Sequence, residues 1–405
     1  MTVPVCSSPA FTPIAALVNK PAVTQKSAQL VVPPALAALA TSSRNQSQLY
    51  DGLSSEQKAR VAIVKAVSSN PELFLNTFSI RKVVGFGSNG VCVAGYDNRT
   101  NSPVCVKIIY KSREGPVNDA LPSEVETLKH LSKVSTSRHL LKYIADFQDA
   151  SHFILVTELF GSDWLATPAV AESGTIEGHL EPLVFQSTYN TNTTVHQLEF
   201  SAGSSDLWAW AYACRAHLFK TEGHSFLHFN PVKSIFKQIA VALFDLHNAG
   251  FYHGDVKIEN ILVQSGSETS DRPHIRLADF GHAKHASMGI SSYGTQDVSP
   301  PEFLRDSPFA FGELDGRAAD VFALGILLYV LVSENGERPG AVQAMQSGKI
   351  GYQYLASHNR GVFPLDGITD LDAEAWDLFA GMCAVDPEER ISIEEVLAHS
   401  WLMEE

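Results

Sequence analysis

His253-Gly254-Asp255-Val256-Lys257-Ile258-Glu259-Asn260 is the stretch on which the reading of this chain turns. It lies between an amphipathic pattern over residues 231–249, which predicts a helix, and a strand-like run, Ile261-Leu262-Val263. Asp255 offers a carboxylate, Lys257 an amine and Asn260 a carboxamide, all within one short loop. A carboxylate can accept a hydroxyl proton, an amine can offset the charge of a phosphoryl group in transit, and an amide oxygen can ligate a hard cation. Loops carry Asp, Lys and Asn for ordinary turn reasons as well, so the octet gains weight only from what flanks it.

Upstream, Val83-Val84-Gly85-Phe86-Gly87-Ser88-Asn89-Gly90-Val91 places three glycines in a turn between two strand patterns. Glycine lets a backbone approach phosphate oxygens and aim its N–H groups at them, although a plain hairpin uses the same residues. A dinucleotide fold would need a helix after the third glycine, and Val91-Cys92-Val93-Ala94 reads as strand instead. The pattern therefore predicts a β-hairpin lid over a nucleoside triphosphate. Lys107 follows within Val104-Cys105-Val106-Lys107-Ile108-Ile109, where a buried amine needs a partner unless it reaches water from the strand end. Glu124 and Glu126 both fall on the next helical pattern. Glu124 is the preferred partner, because Leu128 then faces the core one turn later.

The 405 residues, 45% of them hydrophobic, suffice for one large core or two medium ones. A formal charge of -14 argues against nucleic acid or an anionic membrane as the main partner and favours basic ones. Cys6, Cys92, Cys105, Cys214 and Cys383 show neither paired nor zinc-like spacing, which fits a reducing compartment. The apolar run Ala323–Val332 is too short to cross a bilayer and reads as a buried helix. Residues 1–50 hold six prolines and no acidic residue, with only Lys20, Lys26 and Arg44 as bases. Such a start has some transit-peptide character, but a disordered tail is the expectation.

Ser54-Ser55-Glu56 predicts the cap of a helix reaching about Val67. Strand patterns follow at 78–84, 91–95, 104–110, 141–147 and 153–159, with a helix at 124–131. Five strands and one inserted helix make a small sheet domain. Asp163 to Asp206 contains no Lys or Arg, and Ser187–Thr194 is almost wholly polar, so this stretch is read as a surface insertion. From Leu207 onward the patterns are helical, with Asp315, Asp372 and Ser392 as start signals.

From Phe78 to Trp401 these motifs resemble the eukaryotic protein kinases of the serine/threonine type. GFGSNGV is similar to their glycine loop, VCVK to the strand bearing the ATP-anchoring lysine, and HGDVKIEN to their catalytic loop. Asp279-Phe280-Gly281 resembles the magnesium motif, and Ser299-Pro300-Pro301-Glu302 the end of the activation segment. Asp320–Gly325 resembles the start of the central helix, and Asp386 to Arg390 with His399-Ser400-Trp401 the closing helices. The resemblance implies a two-lobed α+β fold with ATP in the cleft: an N-lobe at 78–160, the insertion at 163–206 and a C-lobe at 207–405. A tail at 1–53 and a helical extension at 54–77 would precede it.

The same resemblance implies roles. Asp255 would orient the substrate hydroxyl and take its proton, Lys257 would steady the phosphoryl group, and Thr295 would bridge the two. Asn260 and Asp279 would hold Mg²⁺. Gly85, Phe86, Gly87, Ser88, Gly90, Cys92, Cys105, Lys107, Glu124 and Leu262 would surround ATP, with Thr157 behind it and Glu158 to Phe160 as the hinge. Leu198-Glu199-Phe200 is a second hinge-like segment, and Asp206 would resume the family pattern. Glu302 and Arg390 would form a scaffold ion pair.

Three positions depart from the family. Gly254 replaces the arginine that usually clamps an activation-segment phosphate, so activity is expected not to depend on such phosphorylation. Cys92 and Cys105 stand where valine and alanine usually roof the adenine, either as small apolar residues or as a thiol pair whose oxidation would block ATP. Glu259 is either a solvated carboxylate or a hint of basic substrates. The expected function is ATP-dependent phosphorylation of Ser or Thr in proteins, by a monomer in the cytoplasm and also the nucleus. The rival readings are a nucleotide-binding pseudokinase scaffold and a kinase-like enzyme acting on a small molecule.

Overall fold

A computed structural model describes residues 28–31, 50, 52–111, 121–161, 182–189, 192–200, 205–264, 273–310, 312–365, 368 and 372–403. Within the stretch expected to be a tail, Ala28–Val31 forms strand β1. Helix α1, Ser55–Ser69, starts at a reciprocal capping box, in which Gln57 N donates to Ser54 Oγ at 3.2 Å and Ser54 N to Gln57 Oε1 at 2.9 Å. A π-helical turn over Glu72–Thr77 then delivers the chain to the sheet. Strands β2 (Phe78–Phe86), β3 (Gly90–Asp97) and β4 (Ser102–Tyr110) form a meander, interrupted by helix α2 (Ser123–Val134) before β5 (Tyr143–Gln148) and β6 (His152–Glu158).

The sheet is larger than the five strands expected. The segment read as a surface insertion contributes β7 (Leu183–Tyr189) and β8 (Asn192–Phe200), and the strand order is β1-β7-β8-β2-β3-β4-β6-β5. Leu198–Phe200, read as a second hinge, is therefore the end of a sheet strand. It runs parallel to β2, with Lys82 beside Glu199 and Val83 beside Phe200. Leu183, Phe185 and Leu198 are each about 1% exposed, which explains why the hairpin docks. The polar tip hid this apolar alternation from the sequence reading.

The pleat divides the sheet into two faces. Val91, Val93, Val104, Val106 and Ile108 point to one side, where they pack with Ala59, Ile63, Val67 and Phe74 of the N-terminal extension. The residues between them, including Cys92, Cys105 and Lys107, occupy the other side.

The second lobe is mainly helical. Asp206 caps α3 (Leu207–Glu222) by accepting from Ala209 N at 2.8 Å, and α4 (Phe229–Asn248) follows. The strand pairs β9 (Phe251–Tyr252) with β12 (Lys284–His285), and β10 (Ile261–Gln264) with β11 (His274–Leu277), bracket the loop between α4 and β10. Asp315 caps α5 (Gly316–Val332), whose residues are buried almost throughout, and Asp372 and Ser392 cap the helices Ala373–Met382 and Ile393–Ala398. Arg390 makes a bidentate contact with Glu302 at 2.9 and 3.0 Å, with neither side chain more than 1% exposed. Its other guanidinium hydrogens satisfy the carbonyls of Ala384 and Ala318, so no donor is stranded. Among the described residues no helix is long and apolar enough to cross a membrane.

Candidate active site

A single buried aspartate sets the floor of the cleft. Asp320, fully buried in α5, accepts hydrogen bonds from His253 N (2.6 Å), Gly254 N (2.9 Å), His247 Nε2 (3.0 Å) and Tyr293 Oη (2.9 Å). Tyr293 Oη in turn accepts from Val256 N at 2.9 Å. Its phenol is pushed well above the ordinary range by burial and then by Asp320, so it stays a donor. The loop backbone around Asp255 is thus held at three of its N–H groups. The sequence reading used Asp320 only as a helix-start mark. The available signal was a carboxylate inside the apolar string Ala318-Ala319-Asp320-Val321-Phe322, since such a group must have partners.

On this floor the reactive groups converge. Lys257 Nζ lies 2.8 Å from Asp255 Oδ2 and donates to Thr295 Oγ1 at 2.8 Å, so the lysine stands between the two. Asn260 Nδ2 donates to the Asp255 carbonyl at 2.8 Å and to its Oδ2 at 3.1 Å. Asp255 Oδ1 is buried without a hydrogen-bond partner among the described residues. His253 Nε2 donates to Ala278 O at 3.0 Å and Ala278 N to Asn260 O at 2.9 Å, which ties Asp279 to the same loop.

Two glycines shape this arrangement. Gly254 has φ +74°, and a Cβ there would meet His282 O at 2.8 Å. The missing arginine therefore could not be restored without moving the backbone. At Gly294 a Cβ would lie 2.8 Å from Asp255 Cγ, and its N–H donates to Gly254 O at 2.8 Å.

The roof supplies the second cation. Lys107 Nζ is 2.9 and 2.7 Å from the two oxygens of Glu124, not Glu126, and 3.0 Å from Asp279 Oδ1. Burial opposes the lysine's charge, but the two carboxylates outweigh it and hold the ammonium well above its usual range. Lys107 in turn keeps the Asp279 carboxyl below its ordinary value. Burial lifts that of Glu124. The glycine turn closes through Gly87 N to Gly90 O at 3.0 Å, and Gly85 and Gly87 have open space where a Cβ would stand. Ser88 Oγ donates to Asn89 Oδ1 at 3.0 Å, and the exposed Phe86 ring meets Phe200 edge-on at 6.1 Å.

Behind the turn, Cys105 sits across from Thr157 in the register of β4 and β6. Arg276 Nε donates to Glu158 Oε1 at 2.9 Å and its guanidinium covers Phe160 at 4.4 Å, which pins the expected hinge to β11. Leu262 lies on β10, paired with Asp206. Glu259 is held by Arg338 at 3.5 Å, and Arg338 also reaches Asp297 at 2.8 Å. Sequence reasoning gave no signal for Arg338, because eighty residues of chain separate it from its partner.

The donor set suits a small hard cation. Asn260 spends its amide hydrogens on Asp255, which leaves its oxygen available, and Asp279 adds a carboxylate. Among the described residues no group of three or more His, Cys, Asp or Glu is placed to hold a metal. Two protein oxygens completed by phosphate oxygens and water is how Mg²⁺ is commonly held.

The protein kinase domain family matches residues 185–402. The chain is 23% identical over 334 residues to serine/threonine-protein kinase PSK2 of Saccharomyces cerevisiae, covering 80% of this chain and 24% of that protein. It is 24% identical over 348 residues to ribosomal protein S6 kinase 2 alpha of Xenopus laevis, covering 84% and 38%. Identity is 30% over 179 residues with serine/threonine-protein kinase cds1 of Schizosaccharomyces pombe, covering 42% and 35%. The chain thus spans less than two fifths of the length of each of these relatives. With more than half its residues matched, the chain belongs to the protein kinase domain family.

Proposed function

We propose that the chain transfers the γ-phosphoryl group of ATP to serine or threonine hydroxyls of proteins, with Mg²⁺, and does so without a phosphorylated activation segment. The observation that carries the reading is the convergence of Asp255, Lys257 and Asn260 within 3.1 Å contacts below a Lys107 that touches both Glu124 and Asp279. In this reading Asp255 holds the incoming hydroxyl and takes its proton. Lys257, kept in place by Thr295, offsets the charge that builds on the transferring group. Lys107, oriented by Glu124, fixes the phosphates from above, while Asn260 and Asp279 would hold the cation. Mg²⁺, when bound, neutralises phosphate charge and aligns the groups for in-line displacement.

Independence from activation-segment phosphorylation rests on the contacts that already order this segment. Gly294 N reaches Gly254 O at 2.8 Å, Tyr252 Oη donates to Gly289 O at 2.9 Å, and Ile290 N donates to Leu314 O at 3.0 Å. No arginine precedes Asp255 to receive a phosphate. A radiolabelled ATP assay on generic basic proteins, with Asp255→Asn and Lys107→Met as controls, tests the transfer. Nucleotide binding without transfer would make the chain a pseudokinase, and transfer only to metabolites would make it a small-molecule enzyme. Activity lost on phosphatase treatment, and lost again on mutating a mapped site between His282 and Gln296, would refute the claim of independence.

A further inference from the structure

We propose that Cys92 and Cys105 are an oxidisable dithiol in the roof of the cleft, which a hydroperoxide closes into a disulfide that displaces the nucleotide. The displacement rests on the reading of the cleft as an ATP site; formation of the disulfide does not.

The register supplies the geometry. Cys92 on β3 is directly opposite Lys107 on β4, and Cys105, two residues before Lys107, is opposite Ala94. All three side chains share the pleat face turned away from the buried cluster beneath α1, since Val91, Val93, Val104 and Val106 on the other face are fully buried. Both cysteines are free thiols and only partly buried. They are diagonal neighbours on that face, and Lys107 stands directly opposite Cys92 on it.

The two thiols are not equivalent. That of Cys92 is held below its ordinary range, first by the neighbouring Cys105 thiol and, against burial, by Lys107. That of Cys105 is pushed well above it by the Cys92 thiol and by burial. Cys383 makes the contrast: it is fully buried and its thiol is pushed up to about 12 by burial. Cys92, directly opposite Lys107 in the strand register, is the attacking sulfur and Cys105 the resolving one.

In the first step the Cys92 thiolate attacks one peroxide oxygen. An S–O bond forms, the O–O bond breaks, and the departing alkoxide or hydroxide takes up a proton. Sulfur is oxidised by two electrons and the peroxide reduced. In the second step Cys105 loses its proton and attacks the Cys92 sulfenyl sulfur; the S–S bond forms, the S–O bond breaks, and hydroxide leaves with that proton as water. Diagonal positions on antiparallel strands lie about 7–8 Å apart at Cα. A relaxed disulfide prefers roughly 4.4–6.8 Å. Closing the bridge must therefore draw β3 and β4 together, and a strained bridge is readily reduced, which suits a switch rather than a staple.

The experiment takes the full-length chain, fully reduced, and treats it with hydrogen peroxide. Peptide mass spectrometry should find the Cys92 and Cys105 peptides joined. Affinity for a fluorescent ATP analogue should fall about tenfold or more and return with reductant. In Cys105→Ser no joined peptide forms, and a sulfenic acid on Cys92 becomes trappable by a dione reagent. Cys92→Val/Cys105→Ala, compared with its own reduced state, should keep its affinity through oxidation. Oxidised Cys92 that never joins Cys105, or equal loss of affinity in the double variant, overturns the proposal. A reduced chain that binds no nucleotide defeats the ATP reading and the displacement with it, while the joined peptide still decides whether the dithiol exists.

Discussion

The floor and the roof of the cleft are built in opposite ways. On the floor, one buried carboxylate gathers four hydrogen bonds, and three of them fix the loop that carries Asp255 or a side chain holding that loop. In the roof, Lys107 is placed by strand register and two carboxylates, and the glycine turn before it is held by backbone bonds from Gly87 N to Gly90 O and from Tyr110 N to Asn89 O. Glu124 is nearly buried, whereas the Asp279 side chain is 48% exposed. The difference teaches where rigidity is needed. If Asp255 takes a proton, as proposed, its surroundings must tolerate little displacement, which suits an over-determined floor. A site that on the same reading admits and releases a nucleotide is served by a lid that yields.

Substitutions can break or sharpen this contrast. Asp255→Asn should have the largest effect, lowering kcat by about 10²–10⁴-fold with fold and nucleotide affinity preserved. Steady-state kinetics beside a thermal melt would check it. Asp320→Ala should cost about 3–5 kcal/mol in denaturant unfolding, because several buried donors lose their acceptor at once. A loss below about 1 kcal/mol would mean that the floor is held by something else. Gly254→Ala should destabilise by about 1–3 kcal/mol and lower kcat, since φ +74° and the His282 carbonyl both oppose a side chain. Phe200→Ala should matter least. Loss of its edge contact with Phe86 and of the Arg60 guanidinium over its face, 4.3 Å away, should cost about 0.5–1.5 kcal/mol, seen as a raised KM for ATP with kcat little changed. Were it as damaging as Gly254→Ala, the roof would not be the yielding half.

How much was legible follows from how far apart the partners lie in the chain. The octet from His253 to Asn260 carries its chemistry in adjacent residues, and Lys107 announces itself as an amine in an apolar strand. Glu124 was distinguishable from Glu126 by helical phase alone. The change of period near Leu207 marked where strands give way to helices, and the two-lobed α+β architecture was what the kinase resemblance implied. Strand order is different in kind. Nothing local in Leu183–Phe200 says that β8 will lie beside β2, because pairing at a sheet edge is chosen by the neighbour it meets. The Asp320 hub and the Arg338 bridge were hidden for the same reason: their partners lie 27 to 79 residues away.

The course of the chain after β6 carries a mechanical consequence. Having left the sheet at Glu158, the polypeptide re-enters it as β7 and β8, the latter alongside the strand that leads into the glycine turn, and departs for α3 only afterwards. Four residues separate Phe200, beside Val83, from Ser205, whose carbonyl receives Val263 N at 2.7 Å. In the proposed reading, a shear between the lobes at Ser205 would be felt at the strand leading into the glycine turn, which would join domain opening and nucleotide release in one movement.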